Sequence, residues 1–433
     1  MKICLVATFP PSGRQLNEYA FHIARELRRC PDVELTILAD ELTDYQFVTD
    51  QDGAPLEILN QPELSGFDVA RCWRFGDLAN PLRLLKTIRG LKPDVVWFNL
   101  VFSTFATPEL PFSAFAGLST PALIRAAGFY THITLHNIIE HVDFSTAGVR
   151  HERLYRFGTK LATRALLRAN SVSVLLPGYH RTLTTKYSAK NVLLGTHGTF
   201  SPVPCPPDFT RRGNPDQRIL AIGHWGTYKR LETLIEAFPL VLKKAPHARL
   251  IVGGANHHTK PGYWEAIRAQ QPPDMPIDFR GYIPEEDIPD LFQTSSIVAL
   301  PYDSATGSSG PAHQACEYGV PIVSAHIPDF QAMAANENMA IRFYRVGNAV
   351  DLADQILAIL QSRELEHQMA EHNFAAGLEM TMANVIRQYL RWFELNRLKN
   401  GIPAGRLPRP HWRPEPNTFR TESVSSDLGA PMQ

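Results

Sequence analysis

The chain has 433 residues, with 43 lysines and arginines balanced by 43 aspartates and glutamates. At about 100–200 residues per domain this length predicts two to four domains, and a hydrophobic content of 44 % supplies full cores for them. The zero formal charge argues against a dedicated nucleic-acid binder, which carries a basic excess. Five widely spaced cysteines (Cys4, Cys30, Cys72, Cys205, Cys316) with no C-x-x-C argue against a disulfide framework or a structural zinc site, and they fit a reducing, cytoplasmic compartment.

In chain order, short apolar runs alternate with amphipathic segments. The first half predicts strands over 2–8, 33–39, 94–100, 130–135 and 171–176, and helices over 17–29, 80–91 and 150–168. The apolar stretch 95–124, whose only charge is Glu109, is interrupted by Pro108, Pro111 and Pro121. It reads as a buried strand, a loop and a core helix rather than the ~20 unbroken apolar residues of a membrane span. The second half predicts strands over 218–222, 249–252, 277–280, 297–300 and 321–324, and helices over 231–244, 286–293 and 311–318. Strand–helix alternation implies parallel βαβ units, and the unbroken apolar strands imply a sheet covered on both faces. The expected fold is therefore α/β, with two Rossmann-like doubly wound domains and a ligand cleft outside the carboxyl ends of their strands.

Prolines set the boundaries. They cluster at Pro202, Pro204, Pro206, Pro207 and Pro215, and again from Pro403 to Pro416. Such runs fit neither a central strand nor a helix interior. The expectation is a first domain over 1–200, a stiff linker over 201–215, a second domain over 216–381, a helix over 382–398 that closes on the first domain, and a disordered tail over 401–433.

Two segments look suited to an anion. Gly223-His224-Trp225-Gly226-Thr227-Tyr228-Lys229-Arg230 lies between a strand and a helix. Its glycines permit a close approach, and its cations sit at a helix start that is comfortable only if an anion also binds. Tyr302-Asp303-Ser304-Ala305-Thr306-Gly307-Ser308-Ser309-Gly310-Pro311 is a second strand–glycine loop–helix unit, with Pro311 suited to the first helical turn. A solvated basic turn and a plain N-cap are the competing readings. Two such cradles in one domain favour a diphosphate.

The G-x5-K spacing from Gly223 to Lys229, followed by Leu231-Glu232-Thr233-Leu234-Ile235-Glu236-Ala237, resembles family 4 of the retaining glycosyltransferases. So do Leu250-Ile251-Val252-Gly253-Gly254, Phe279-Arg280-Gly281-Tyr282 and the run from Ala315 to Val323. Pro10-Pro11-Ser12-Gly13-Arg14, Thr134-Leu135-His136-Asn137 and Gly195-Thr196-His197-Gly198-Thr199-Phe200 are similar to its earlier segments. The likeness covers residues 1–396, strongest over 218–325 and loosest over 40–125. It implies the GT-B fold, a nucleoside diphosphate sugar donor, a hydroxyl acceptor (glycan, glycolipid or small molecule), and neither cofactor nor metal. By this likeness Lys229 binds the donor diphosphate. His224 stands where the family has an arginine, and Arg230 is the compensating cation. Gly13, Ser309 and Gly310 face the phosphates. His136 lies near the transferred sugar and, with Lys229, is the expected catalytic residue. Tyr282 and Ile283 lie near the nucleobase.

The main departure is the family's E-x7-E pair. Thr306 and Gln314 occupy its two positions. Gln314 can still accept from a ribose hydroxyl. Trading a charged hydrogen bond of about 1.5–3 kcal/mol for a neutral one of about 0.5–1.5 loses about 1 kcal/mol, roughly five- to tenfold in affinity. Thr306, Gly307 and Ser308 then border the sugar, with Asp303 as a stand-in carboxylate. The family reaction is thought to need no protein nucleophile, so activity is expected to survive. A non-catalytic nucleotide-sugar-binding protein and an epimerase of the same fold are the alternatives. The missing glutamates argue against the epimerase, and Pro-Pro-Ser-Gly in place of G-x-G-x-x-G argues against a dinucleotide-dependent dehydrogenase.

Two signals stand apart. The helix over 150–168 carries Arg150, Arg153, Arg156, Lys160, Arg164 and Arg168 against Glu152 alone. It reads as a solvated face or as a peripheral contact with an anionic inner-membrane surface. His257-His258 has no third residue at metal-ligand spacing.

Overall fold

The structure is a computed structural model and describes residues 1–12, 16–42, 66–107, 110, 112–138, 140, 152–201, 203–212, 217–226, 228–257, 260–304 and 307–399. The expected tail at 401–433, together with Gly13, Arg150, His258 and Thr306, lies outside them.

Two parallel sheets organise the chain. The first has seven strands: β1 (Lys2–Val6), β2 (Glu34–Asp40), β3 (Asp68–Trp73), β4 (Val95–Leu100), β5 (Thr131–Leu135), β6 (Ser171–Val174) and β7 (Val192–Leu194). They lie side by side in the order β3-β2-β1-β4-β5-β6-β7. The second has six: β8 (Arg218–Ile222), β9 (Arg249–Gly253), β10 (Ile277–Gly281), β11 (Ile297–Leu300), β12 (Ile322–Ala325) and β13 (Ile341–Tyr344), in the order β10-β9-β8-β11-β12-β13. Each order reverses direction once, between β1 and β4 and between β8 and β11. Those reversals are where doubly wound sheets open a crevice for ligands.

The apolar runs are continuous because both faces of each sheet are covered. In β4 all six residues are buried. Its alternate side chains serve different layers: Val96, Phe98 and Leu100 pack with Leu84, Ile88, Leu118 and Ile124, whereas Val95 and Trp97 join Ile3, Leu5, Ile23 and Leu27. The first layer is supplied by α2 (Asn80–Leu91) and α3 (Ser113–Ala126), the second by α1 (Asn17–Arg28). Burial on both faces is what a parallel sheet requires.

The C-terminal helix α13 (Met382–Lys399) packs on the first sheet although it follows the second in sequence. Met382, Val385, Ile386, Tyr389 and Phe393 bury their apolar face in the layer with Ile3, Leu5 and Trp97. The Tyr389 hydroxyl lies 2.7 Å from Ser173 Oγ on β6.

The proline-rich segment after Phe200 forms no helix or strand among its described residues and is held against the second sheet's side of the molecule. The amides of Phe200 and Ser201 donate to the buried Glu317 carboxylate at 3.1 and 2.9 Å, and Arg212, itself buried, donates to the carbonyls of Tyr318 and Gly319 at 3.0 and 2.6 Å. Hydrogen bonds therefore do here what apolar periodicity cannot.

Candidate functional site

The β8/β11 reversal brings the two glycine segments together. Three further helices frame this region: α6 (Leu231–Leu242), α9 (Gly310–Glu317) and α10 (Pro328–Asn336). The loop after β8 and the loop after β11 are stitched by their backbones. Arg230 N donates to Pro301 O at 2.8 Å, and Asp303 N donates to Tyr228 O at 2.8 Å. Trp225 anchors the first loop from below: it is buried, and its indole N–H donates to Gly253 O at 2.9 Å.

This stitching holds Lys229 over Tyr302, with Nζ 5.1 Å from the ring centroid. The side chain folds so closely across Gly223 that a Cβ there would lie 2.8 Å from Nζ, so the first glycine leaves the ammonium its path. Lys229 is half-buried, and burial lowers its pKa. Among the described residues no carboxylate pairs with it. Tyr302 and Ser309 are buried, and their hydroxyls interact with each other and with no other group among the described residues. Ser309 is the N-cap of α9, yet its hydroxyl caps nothing. A buried hydroxyl pair with no further partner retains unused hydrogen-bonding capacity. A cation, two such hydroxyls and a helix N-terminus in one corner form a preorganised set of donors for an anion.

The two sheets approach each other at this corner. Gly307, with φ +153°, sits where an added Cβ would be 3.0 Å from the carbonyl oxygen of His136, at the end of β5. A side chain here would strain the backbone and push the halves apart. His136 is buried and its Nε2 lies 2.7 Å from Asn99 Oδ1. Burial pushes its pKa from 6.5 to about 3, so the ring is neutral near pH 7. It contributes hydrogen bonding rather than positive charge. Tyr19 on α1 packs edge-on against it at 4.5 Å, and the Tyr19 hydroxyl donates to His197 O at 2.5 Å. The His197 ring in turn lies 4.7 Å from that of His313 on α9. His313 is buried between Ser309 O at 2.7 Å and the Glu337 carboxylate at 3.0 Å. Glu337 outweighs desolvation and raises the His313 pKa.

The other expected site residues separate into groups. Gly310 begins α9 and Gln314 lies half-buried on it, one turn below Ser309. Gly13 and Thr306 lie outside the described residues. Ser308 is half-buried, with its hydroxyl 3.7 Å from Met333 sulfur on α10. Arg230 and Asp303 are engaged with each other at 3.1 Å, and Arg230 also pairs with Glu232 at 3.2 Å. Both side chains are solvent-exposed, so the pairing of the second cation with the stand-in carboxylate is weakly held. His224 is exposed after β8. Tyr282 and Ile283 follow β10, and Ile283 packs over Gly253 at the end of β9. Sequence reading placed Tyr302 and His197 in motifs without giving either a role, and it passed over His313 and Glu337. His313 did carry a signal, since it stands one helical turn after Ser309 and beside Gln314.

Residues 216–362 match the family model described as glycosyl transferases group 1. That match contains both glycine segments, Lys229 and α9. No curated protein matches the chain. Among solved structures, HepE from Anabaena in complex with UDP and glucose is 15 % identical, with a TM-score of 0.62 over 90 % of this chain and 98 % of that one. Sucrose-phosphate synthase from Thermosynechococcus elongatus is 13 % identical, with a TM-score of 0.65 over 93 % and 100 %. A glycosyltransferase from Rickettsia africae is 13 % identical, with a TM-score of 0.63 over 92 % and 99 %. The fold is GT-B: two Rossmann-like α/β domains with parallel sheets.

Proposed function

We propose that this protein is a retaining glycosyltransferase that moves a hexosyl group from a nucleoside diphosphate sugar to a hydroxyl acceptor. The observation that carries the reading is the convergence of Lys229, the buried hydroxyls of Tyr302 and Ser309, which meet only each other, and the N-terminus of α9 at the β8/β11 reversal. These groups suit a diphosphate leaving group. As the sugar–oxygen bond lengthens, negative charge builds on the phosphate oxygens, and donors already in place stabilise it without reorganising. Attack by the acceptor hydroxyl on the face from which the diphosphate departs gives retention, with the hydroxyl proton passing to a leaving phosphate oxygen. The neutral His136 ring fits a hydrogen-bonding role toward the sugar, and the end of β10 with Tyr282 and Ile283 fits the nucleobase. The neighbour HepE, solved with UDP and glucose, supports a sugar nucleotide as donor class. Five free cysteines support a reducing, cytoplasmic setting.

The competing reading is a nucleotide-sugar-binding protein without turnover, favoured by Thr306 and Gln314 at the E-x7-E positions. A thermal-shift screen against UDP, GDP, ADP and their sugars identifies the donor, since a ligand bound only by the folded state raises Tm. Product formation by wild type and Lys229→Ala then decides between the readings. Transfer or donor hydrolysis is expected in wild type, with a loss of about a hundredfold or more in kcat for the alanine variant, the scale for removing one preorganised donor. Full activity in Lys229→Ala overturns the clamp, and binding without turnover over a broad acceptor panel overturns the enzyme.

A further inference from the structure

The basic helix over 150–168 and the apolar stretch over 95–124 are both left unused by the donor site, and the fold places them side by side. Helix α4 (Glu152–Leu166) packs against α3, and between them lies a groove of about 400 Å³. Phe112, Phe115, Phe157, Leu161, Ala162 and Ala165 line it. Its rim is open to solvent: Phe157 is 61 % exposed, Phe112 56 % and Leu161 49 %. Leu110, two positions before Phe112, is a fourth exposed large apolar residue. Single exposed apolar residues need no explanation, but a contiguous aromatic patch around a groove marks an interaction site. Gly158 keeps the floor closed, because a Cβ there would lie 2.8 Å from the Phe115 ring, so the two helices meet tightly beneath an open mouth.

The surrounding charge indicates what fills it. Lys160 and Arg164 lie one turn apart on α4, Arg168 follows the helix, and Arg125 closes α3. All four are exposed, and Arg125 reaches across to the Arg168 carbonyl. Among the described residues no carboxylate forms an ion pair with any of them. An apolar mouth with exposed cations of one sign on the same pair of helices suits a partner that is apolar and anionic at once. An anionic bilayer offers both complements at matching depths, acyl chains for the aromatic rim and phosphate headgroups for the cations.

We propose that the α3–α4 face docks on anionic membrane lipid, with Phe112, Phe157 and Leu161 entering the acyl boundary, an acyl chain seated in the groove, and Lys160, Arg164, Arg168 and Arg125 on the headgroups. No described helix is long and apolar enough to cross a membrane, so this contact is peripheral. The proposal is independent of the donor chemistry.

The test is co-sedimentation of the full chain with vesicles of phosphatidylcholine alone and of phosphatidylcholine mixed with phosphatidylglycerol. Binding to the mixed vesicles is expected to be at least about tenfold tighter and to weaken as salt rises. Lys160→Gln/Arg164→Gln and Phe157→Ser/Leu161→Ser should each reduce it by about tenfold or more, because they remove the charge and the insertion terms separately. All four side chains are exposed, so the melting temperature should stay near wild type. Equal affinity for both vesicle types, or binding untouched in both double variants, overturns the proposal. So does a concentration-dependent dimer that Phe157→Ser/Leu161→Ser abolishes while vesicles are ignored, which would assign the groove to a second copy.

Discussion

The histidines show how far a residue's chemistry depends on its surroundings. Burial drives His22, His132 and His136 from 6.5 to about 3 and pushes His197 well below its usual range. Below pH 6.5 the unfolded chain therefore binds more protons than the folded one, and stability falls as pH drops. At pH 5.5 each such histidine costs on the order of 1 kcal/mol, so together they remove a sizeable share of a typical domain's stability. His313 runs the other way: raised by Glu337, its contribution is full below 6.5 and lost as pH rises through its folded pKa. We expect urea midpoints to fall between pH 7 and 5.5 with a slope of about two to three protons, because Glu18, raised to about 7 by burial, offsets part of the histidine effect. His132→Gln should flatten that slope by about one proton, since His132 is buried among Trp97, Tyr389 and Phe393, on the far side of the first sheet from α2 and α3. An unchanged slope in that variant would contradict this account. Lys229 was legible in the sequence because a strand, two glycines and a lysine form a local pattern. Glu337 and the role of Tyr302 were not, because what distinguishes them is which atoms their side chains meet, and no spacing records that.

At the scale of the element, α9 differs from ordinary helices in how it begins. Asn348 caps α11 (Ala349–Leu360) by accepting from Asp351 N at 2.9 Å, and Ser362 caps α12 (Arg363–Glu379) by accepting from Leu365 N at 3.2 Å. Ser309 caps α9 without any such bond. Replacing a working cap by alanine costs about 1 kcal/mol. Ser362→Ala should therefore lower stability by about that amount, whereas Ser309→Ala should leave it within about 0.5 kcal/mol, because no cap bond is lost. Under the function proposed above, the same Ser309→Ala weakens nucleoside diphosphate binding by roughly five- to tenfold, one neutral hydrogen bond. Chemical denaturation and a titration with the best nucleotide separate the two effects. A stability loss matching that of Ser362→Ala would make Ser309 a plain cap. Most elements were legible because their periodicity is local: the expected helix over 80–91 and the strands over 218–222 and 297–300 match α2, β8 and β11 to the residue. The expected helix over 286–293 begins as a 3-10 turn at Glu285–Asp287, with α8 following at Ile288–Gln293, since Pro289 suits a first helical turn better than an interior. Strands β3, β7 and β13 and helices α5 (Pro177–Lys186), α7 (Tyr263–Ala269), α10, α11 and α12 escaped notice.

At the scale of the whole molecule, the chain leaves its first half and returns to it. Phe393 on α13 is fully buried between Trp97, Tyr130 and His132, residues more than 250 positions earlier. Phe393→Ala should cost about 3–5 kcal/mol, the usual price of emptying an aromatic core site. That loss should appear in the first sheet, so tryptophan emission from Trp97 and its surroundings should change at lower urea than in wild type. Nucleotide binding in the second half should persist under native conditions. A uniform loss of both would mean that the halves unfold as one unit.

The sequence by itself determined two doubly wound sheets, the strand–loop–helix setting of Lys229 and of α9, and a basic helix in the first half. Each of these is a local alternation of apolar, glycine and charged residues, and local alternation is what a chain displays directly. Only the tertiary structure decided that the Tyr302 and Ser309 hydroxyls meet only each other beside Lys229 and that Arg230 pairs with Asp303. It alone brought His136 against Gly307 across the two sheets and α3 beside α4 around an open apolar groove. Those outcomes depend on which strands neighbour which at the β8/β11 and β1/β4 reversals, and strand order is set by packing between residues far apart in the chain.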